Sequence, residues 1–111
     1  MFKLSLSETY TWPVQVKLPV DGGKFLIQTF DAVFKRGSQT HIKELLAAEG
    51  ISDVDFSRDV LVGWKGITDD AGNEVPFSEG ARDRLLDVPA VSAAIVEAFV
   101  LSASGQAKRK N

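Results

Sequence analysis

The stretch from Val14 to Phe34 limits the possible folds more than any other part of the chain. Val14-Gln15-Val16-Lys17-Leu18 alternates apolar and polar residues, the period of a half-buried strand, with Val14, Val16 and Leu18 on one face. Asp21-Gly22-Gly23 follows, a turn signal tolerant of positive φ, and Phe25 to Phe34 then resumes an aromatic and β-branched run. This order predicts a β-hairpin across the turn. In the second strand Phe25, Ile27 and Thr29 face one way while Leu26, Gln28, Phe30 and Phe34 face the other. With large apolar groups on both faces, at least part of this strand is expected to be covered on both sides.

Beyond the hairpin the period changes. Lys35-Arg36-Gly37 breaks the strand, and Ser38 or Thr40 offers an N-cap for a helix with Ile42, Leu45 and Leu46 on one face and Gly50 as its stop. Ile51 to Val62 fits both a helical face, through Phe56 and Val60, and a strand, through Val60-Leu61-Val62. It reads as a short helix leading into extended chain. Gly63-Trp64-Lys65-Gly66 and Asp69-Asp70-Ala71-Gly72-Asn73 read as a loop with an aromatic anchor. Ser78 caps a helix running to about Leu86, favoured by Glu79 at the positive end of its dipole. Pro89 opens another helix, on which Val91, Ile95 and Phe99 form one apolar stripe. Strands precede helices, so the expected class is α+β: a small N-terminal antiparallel hairpin or sheet packed with three to four helices. The expected division is one domain over residues 1–103 and a flexible basic tail over 104–111, where bulky apolar residues give way to Lys108-Arg109-Lys110.

Composition fits a single packed core. The chain has 111 residues, with 44% hydrophobic and 25% charged, which is ordinary globular usage. It has no cysteine, which removes disulfides, thiolate nucleophiles and sulfur-ligated zinc. The one histidine, His41, is too few for a multi-imidazole metal site within one chain. A net charge of -2 argues against broad binding to a nucleic-acid backbone. No run approaches the roughly 20 apolar residues of a membrane span, and the first residues lack a signal-peptide core. The expected setting is therefore the cytoplasm, with neither membrane nor nucleic acid as partner.

Candidate chemistry is sparse. Asp69, Asp70, Asn73 and Glu74 are rich in oxygen, but their spacing is not that of a calcium loop, and a solvated turn is the better reading. His41 lies in the first turns of a helix with no nucleophile motif beside it. Asp21-Gly22-Gly23-Lys24 and Gly63-Trp64-Lys65-Gly66 lack phosphate-loop spacing. No catalytic residue, metal ligand or cofactor site is therefore expected. Trp12 and Trp64 suit either a core or a partner-binding anchor. The apolar content of the second strand and the last helix also exceeds what one small core need hide, which leaves room for self-association or a protein client.

The segment order and two motifs resemble a known family. Phe30-Asp31-Ala32-Val33-Phe34-Lys35-Arg36, then Trp64, Gly66, Asp69 and Gly72 in a Trp-x-Gly-x-x-Asp-x-x-Gly pattern with Pro76-Phe77-Ser78 after it, and Leu85-Leu86-Asp87-Val88-Pro89 before the last helix, are similar to the tail assembly chaperones of long-tailed bacteriophages and prophages. The likeness extends from about Val14 onward. It implies a non-enzymatic protein of the host cytoplasm, absent from the finished virion, that coats the helical tape measure protein and helps recruit the major tail protein. The family's functional residues do not map one to one onto this chain. Apolar content alone nominates Phe34, Trp64, Val91, Ile95 and Phe99 as the partner-binding surface. A structural tail protein or head-tail connector of the virion is the alternative reading, and a small nucleic-acid-binding regulator a further one.

Overall fold

The computed structural model describes residues 7–47 and 52–104. Over these residues the chain is α+β, with a three-stranded antiparallel sheet and four helices, two of them between the hairpin and the third strand and two after it. Strands β1 (Thr9–Val20) and β2 (Lys24–Lys35) form one long hairpin in unbroken register from Thr9↔Lys35 to Val20↔Lys24. The turn closes through Gly22 and Gly23 at φ of 84° and 73°, a left-handed region in which a side chain would be strained. Helix α1 (Gln39–Ala47) and helix α2 (Asp53–Val60) lead into β3 (Leu61–Lys65), which pairs with β2 from Asp31 to Phe34. Helices α3 (Glu79–Leu86) and α4 (Pro89–Ser104) complete the fold.

Local chemistry sets the element ends. The Ser38, Ser52 and Ser78 side chains accept hydrogen bonds from the backbone N–H groups of His41, Asp55 and Ala81, so each satisfies one amide at the start of a helix. Of the two caps considered for α1, the hydroxyl of Ser38 is the one that fills the role. Pro89 starts α4 at the position where a missing N–H costs nothing. The short helix expected before β3 is α2, with Phe56 and Val60 on its buried face.

The core lies between one face of the sheet and the helices. Val14, Val16, Phe30, Ala32 and Phe34 point inward from the hairpin, and Val91, Ile95 and Phe99 point back from α4. Phe34, Phe56 and Phe99 pack edge to face, with ring centroids 5.3 Å apart for Phe34–Phe99 and 5.7 Å for Phe56–Phe99. At the open end of the hairpin the Tyr10 ring packs edge-on to Phe34 and its hydroxyl is 2.7 Å from Ser102 Oγ. No buried side-chain polar atom among the described residues lacks a hydrogen-bond partner; Ser57, fully buried, donates to the Ser92 carbonyl.

Three expectations need correction. The Phe25 to Phe34 strand is not covered on both sides: Phe25 is 62% exposed and Ile27 53%. The helices cover one face only, and the distal half of the hairpin projects past them. Trp64 is in β3 and not in a loop, because the Leu61–Lys65 segment finds the free edge of β2. Helix α4 also continues through Ser104, so this residue belongs to the helix and not to a tail. The proposed stop at Gly50 and the basic stretch over residues 105–111 lie outside the described residues. Among the described residues no single helix is long and apolar enough to cross a membrane; α3 and α4 reach that length only as a pair bent by 102°.

Candidate functional site

Each of the five residues nominated for partner binding is in the core. Phe34 and Ile95 have no exposed surface, Phe99 has almost none, and Val91 and Trp64 have little more. The apolar stripe of α4 is what holds it on the sheet, so a client docking on the folded domain does not meet Phe34, Ile95 or Phe99. Of the two tryptophans, Trp64 is the buried one and Trp12 is more than one-third exposed.

Trp64 clamps the chain that follows it. Its indole N–H donates to the Val75 carbonyl at 2.8 Å, and its ring packs edge-on to Phe77 with centroids 4.8 Å apart. The chain leaves the sheet at Gly66, φ 87°, close against Phe30. It reverses where the Asp69 carboxylate accepts from the amides of Ala71 and Asn73 at 3.0 and 2.9 Å, and returns through the Thr68↔Glu74 bridge to the Ser78 cap. Trp64, Gly66, Asp69 and Ser78 from the sequence motif therefore each have a conformational task, as does Gly72, which takes a φ of 82° in the turn and donates its N–H to the Asp69 carbonyl. The Asp69 carboxylate is engaged by the turn's own amides, as the turn reading expected.

His41 is part of an ion cluster. His41 Nε2 and Lys35 Nζ lie 3.0 and 3.1 Å from the same Oδ1 of Asp59. Burial works to raise the Asp59 pKa, but the hydrogen bonds from His41 and Lys35, together with their charges, outweigh it and hold the carboxyl below its ordinary value. The cluster joins β2, α1 and α2. Lys35-Arg36, where the sequence breaks the strand, forms a junction. Arg36 stacks its guanidinium 4.8 Å above the Tyr10 ring and donates through Nε to the Ser7 carbonyl.

Two surface features remain. The first is the projecting arm, where Val20, Phe25, Leu26 and Ile27 are each about half exposed or more. Alternation puts Phe25 and Ile27 on the outer face of the sheet, and Val20 and Leu26 on the face that carries the helices. The second is a groove of about 620 Å³ at the root of the arm, where it leaves the helices. Val16, Leu18, Phe30, Leu85, Val88 and Val91 give it an apolar wall, and Asp69 and Asp70 form its acidic rim. Of the five nominated residues, Val91 alone reaches this wall.

The arm had a legible signal, the three consecutive apolar residues Phe25-Leu26-Ile27. Residues facing opposite sides of a strand cannot all be buried by a sheet covered on one face. The groove had no such signal, since β1, β2, α3 and α4 come together only in the fold. Among the described residues, no group of three or more His, Asp or Glu side chains is placed to hold a metal. Comparison with protein-family models, with curated proteins and with solved structures finds no match.

Proposed function

We propose that this protein is a tail assembly chaperone of a long-tailed phage or prophage, a non-enzymatic protein of the host cytoplasm that binds and solubilises the tape measure protein. Recruitment of the major tail protein belongs to the same reading. The observation that carries it is the apolar groove between the hairpin and the α3–α4 corner, open to solvent and rimmed by Asp69 and Asp70. A tape measure chain is long, largely helical and apolar along one face, and a groove of this kind accepts one such helical face. Val88, at the corner, is the most exposed apolar residue of the groove and so the one most open to a client.

The resemblance through Trp64 to Ser78 supports the same reading from the sequence. Modest affinity per copy suffices, because many copies on one client chain add avidity. The test is co-expression with the tape measure protein. The wild-type chain is expected to keep it soluble and to co-purify with it, and Val88→Glu to lose both while keeping its circular dichroism spectrum. Mass spectrometry of purified particles separates this reading from a structural tail or connector protein, since a chaperone is missing from the virion.

A further inference from the structure

We propose that two copies of this chain associate by pairing their β2 strands edge to edge about a two-fold axis, through residues Lys24 to Thr29. The distal arm beyond the helices is a two-stranded ribbon with apolar side chains on both faces. Such a ribbon is marginal in water, and a third strand is the usual remedy. One of its edges is protected: β1 carries Pro13 and Pro19, which lack a donor, and Lys17 between them. The other edge is open. Strand β3 pairs with β2 only from Asp31 to Phe34, so among the described residues nothing pairs with Lys24 to Thr29, a segment without proline and with a single charge at its end.

This edge is complementary to itself. It is bounded by the hairpin turn at one end and by the departure of the chain at Gly66 at the other. In an antiparallel pair, the turn of one copy meets the Gly66 end of its partner, and neither β3 obstructs the other. A two-fold axis perpendicular to the sheet keeps side chains on their own faces, so only registers that match residues of like parity are allowed. The register centred on Leu26 sets Leu26 opposite the second copy's Leu26, and Phe25 opposite its Ile27. Each exposed apolar residue of β2 then has an apolar neighbour across the axis.

Charge favours the same register. It sets Lys24 opposite Gln28 of the second copy, on the helix-bearing face, at the mouth of the groove rimmed by Asp69 and Asp70. The ammonium of one copy thus lies by the acidic rim of the other, twice in each dimer. The register centred on Ile27 instead matches Phe25 with Thr29 and Leu26 with Gln28, which leaves two apolar side chains against polar ones.

The test uses the full chain without a client, so its outcome is independent of the chaperone reading. Light scattering on a size-exclusion column is expected to give a concentration-dependent mass rising toward twice 12.1 kDa, and Leu26→Lys is expected to remain monomeric with an unchanged circular dichroism spectrum. Since the chain has no cysteine, a single introduced thiol reports on proximity. Opposed residues in either kind of antiparallel pair are close enough for a disulfide. Leu26→Cys is expected to cross-link under mild oxidation roughly tenfold faster than Val20→Cys, which has the same exposure and lies on the opposite strand of the same arm. A mass fixed at one chain at all concentrations, or equal cross-linking of the two cysteine variants, would overturn the proposal.

Discussion

At the scale of single residues, the polar groups that looked like candidate chemistry mainly hold elements together. Asp59 accepts from both Lys35 and His41, and this pairing keeps its folded-state pKa lowered. A carboxyl whose pKa falls on folding stabilises the fold above its unfolded value, near pH 4, and that contribution is lost as the pH drops through the folded value. Wild-type stability is therefore expected to fall as the pH drops below about 4 more steeply than that of Asp59→Asn, measured by urea midpoints at each pH. Equal acid limbs for the two proteins would remove Asp59 from the account. Trp64 gives a second expectation. Trp64→Phe keeps an aromatic ring against Phe77 but leaves the Val75 carbonyl without its donor, and is expected to cost about 1 kcal/mol plus a smaller packing loss in equilibrium unfolding.

At the scale of elements, the hairpin does two jobs along its length. Its proximal half supplies Val14, Val16, Phe30, Ala32 and Phe34 to the core, and its distal half buries little. Phe99→Ala is accordingly expected to destabilise by about 3–5 kcal/mol, since it empties the centre of the aromatic cluster. Phe25→Ala, at low protein concentration, is expected to stay within about 0.5 kcal/mol of wild type. Comparable losses for the two would mean that the arm is covered in solution by something other than a concentration-dependent partner.

The same contrast explains what could be read from the sequence. The hairpin turn, the Ser78 cap, the Pro89 start and the α4 stripe were legible because each depends on neighbours within one or two turns of chain. The exposure of Val20 and Leu26 was not, because it depends on where α3 and α4 end relative to the strands, a distance no local pattern encodes. Trp64 was mistaken for a loop residue for a related reason. Flanking glycines signal a turn locally, but here Gly63 lets β3 approach Val33, where a Cβ would come within 3.3 Å, and Gly66 ends the strand. The five residues nominated from apolar content are buried for a reason of the same kind: apolar content identifies what is sticky, and only packing decides which of it stays outside.

At the scale of the whole molecule, core and surface divide cleanly. The aromatic cluster and the α4 stripe are sealed, while the arm, apolar on both faces, and the groove at its root leave apolar surface open. Under the proposed pairing, the two-fold axis would set two such grooves on the same face of a continuous sheet, giving a dimer two contacts with one extended client. Loss of the dimer in Leu26→Lys would then weaken capture of a long client without abolishing it, whereas Val88→Glu acts on each groove separately.

The decisive experiment is quantitative co-purification of the co-expressed tape measure protein with a tagged copy of this chain, comparing wild type with Val88→Glu at matched expression and matched fold. The proposed function requires soluble tape measure protein to be retained by the wild-type chain and lost with the variant. Equal recovery with both proteins, or no recovery with either, would contradict a client groove between the hairpin and the α3–α4 corner.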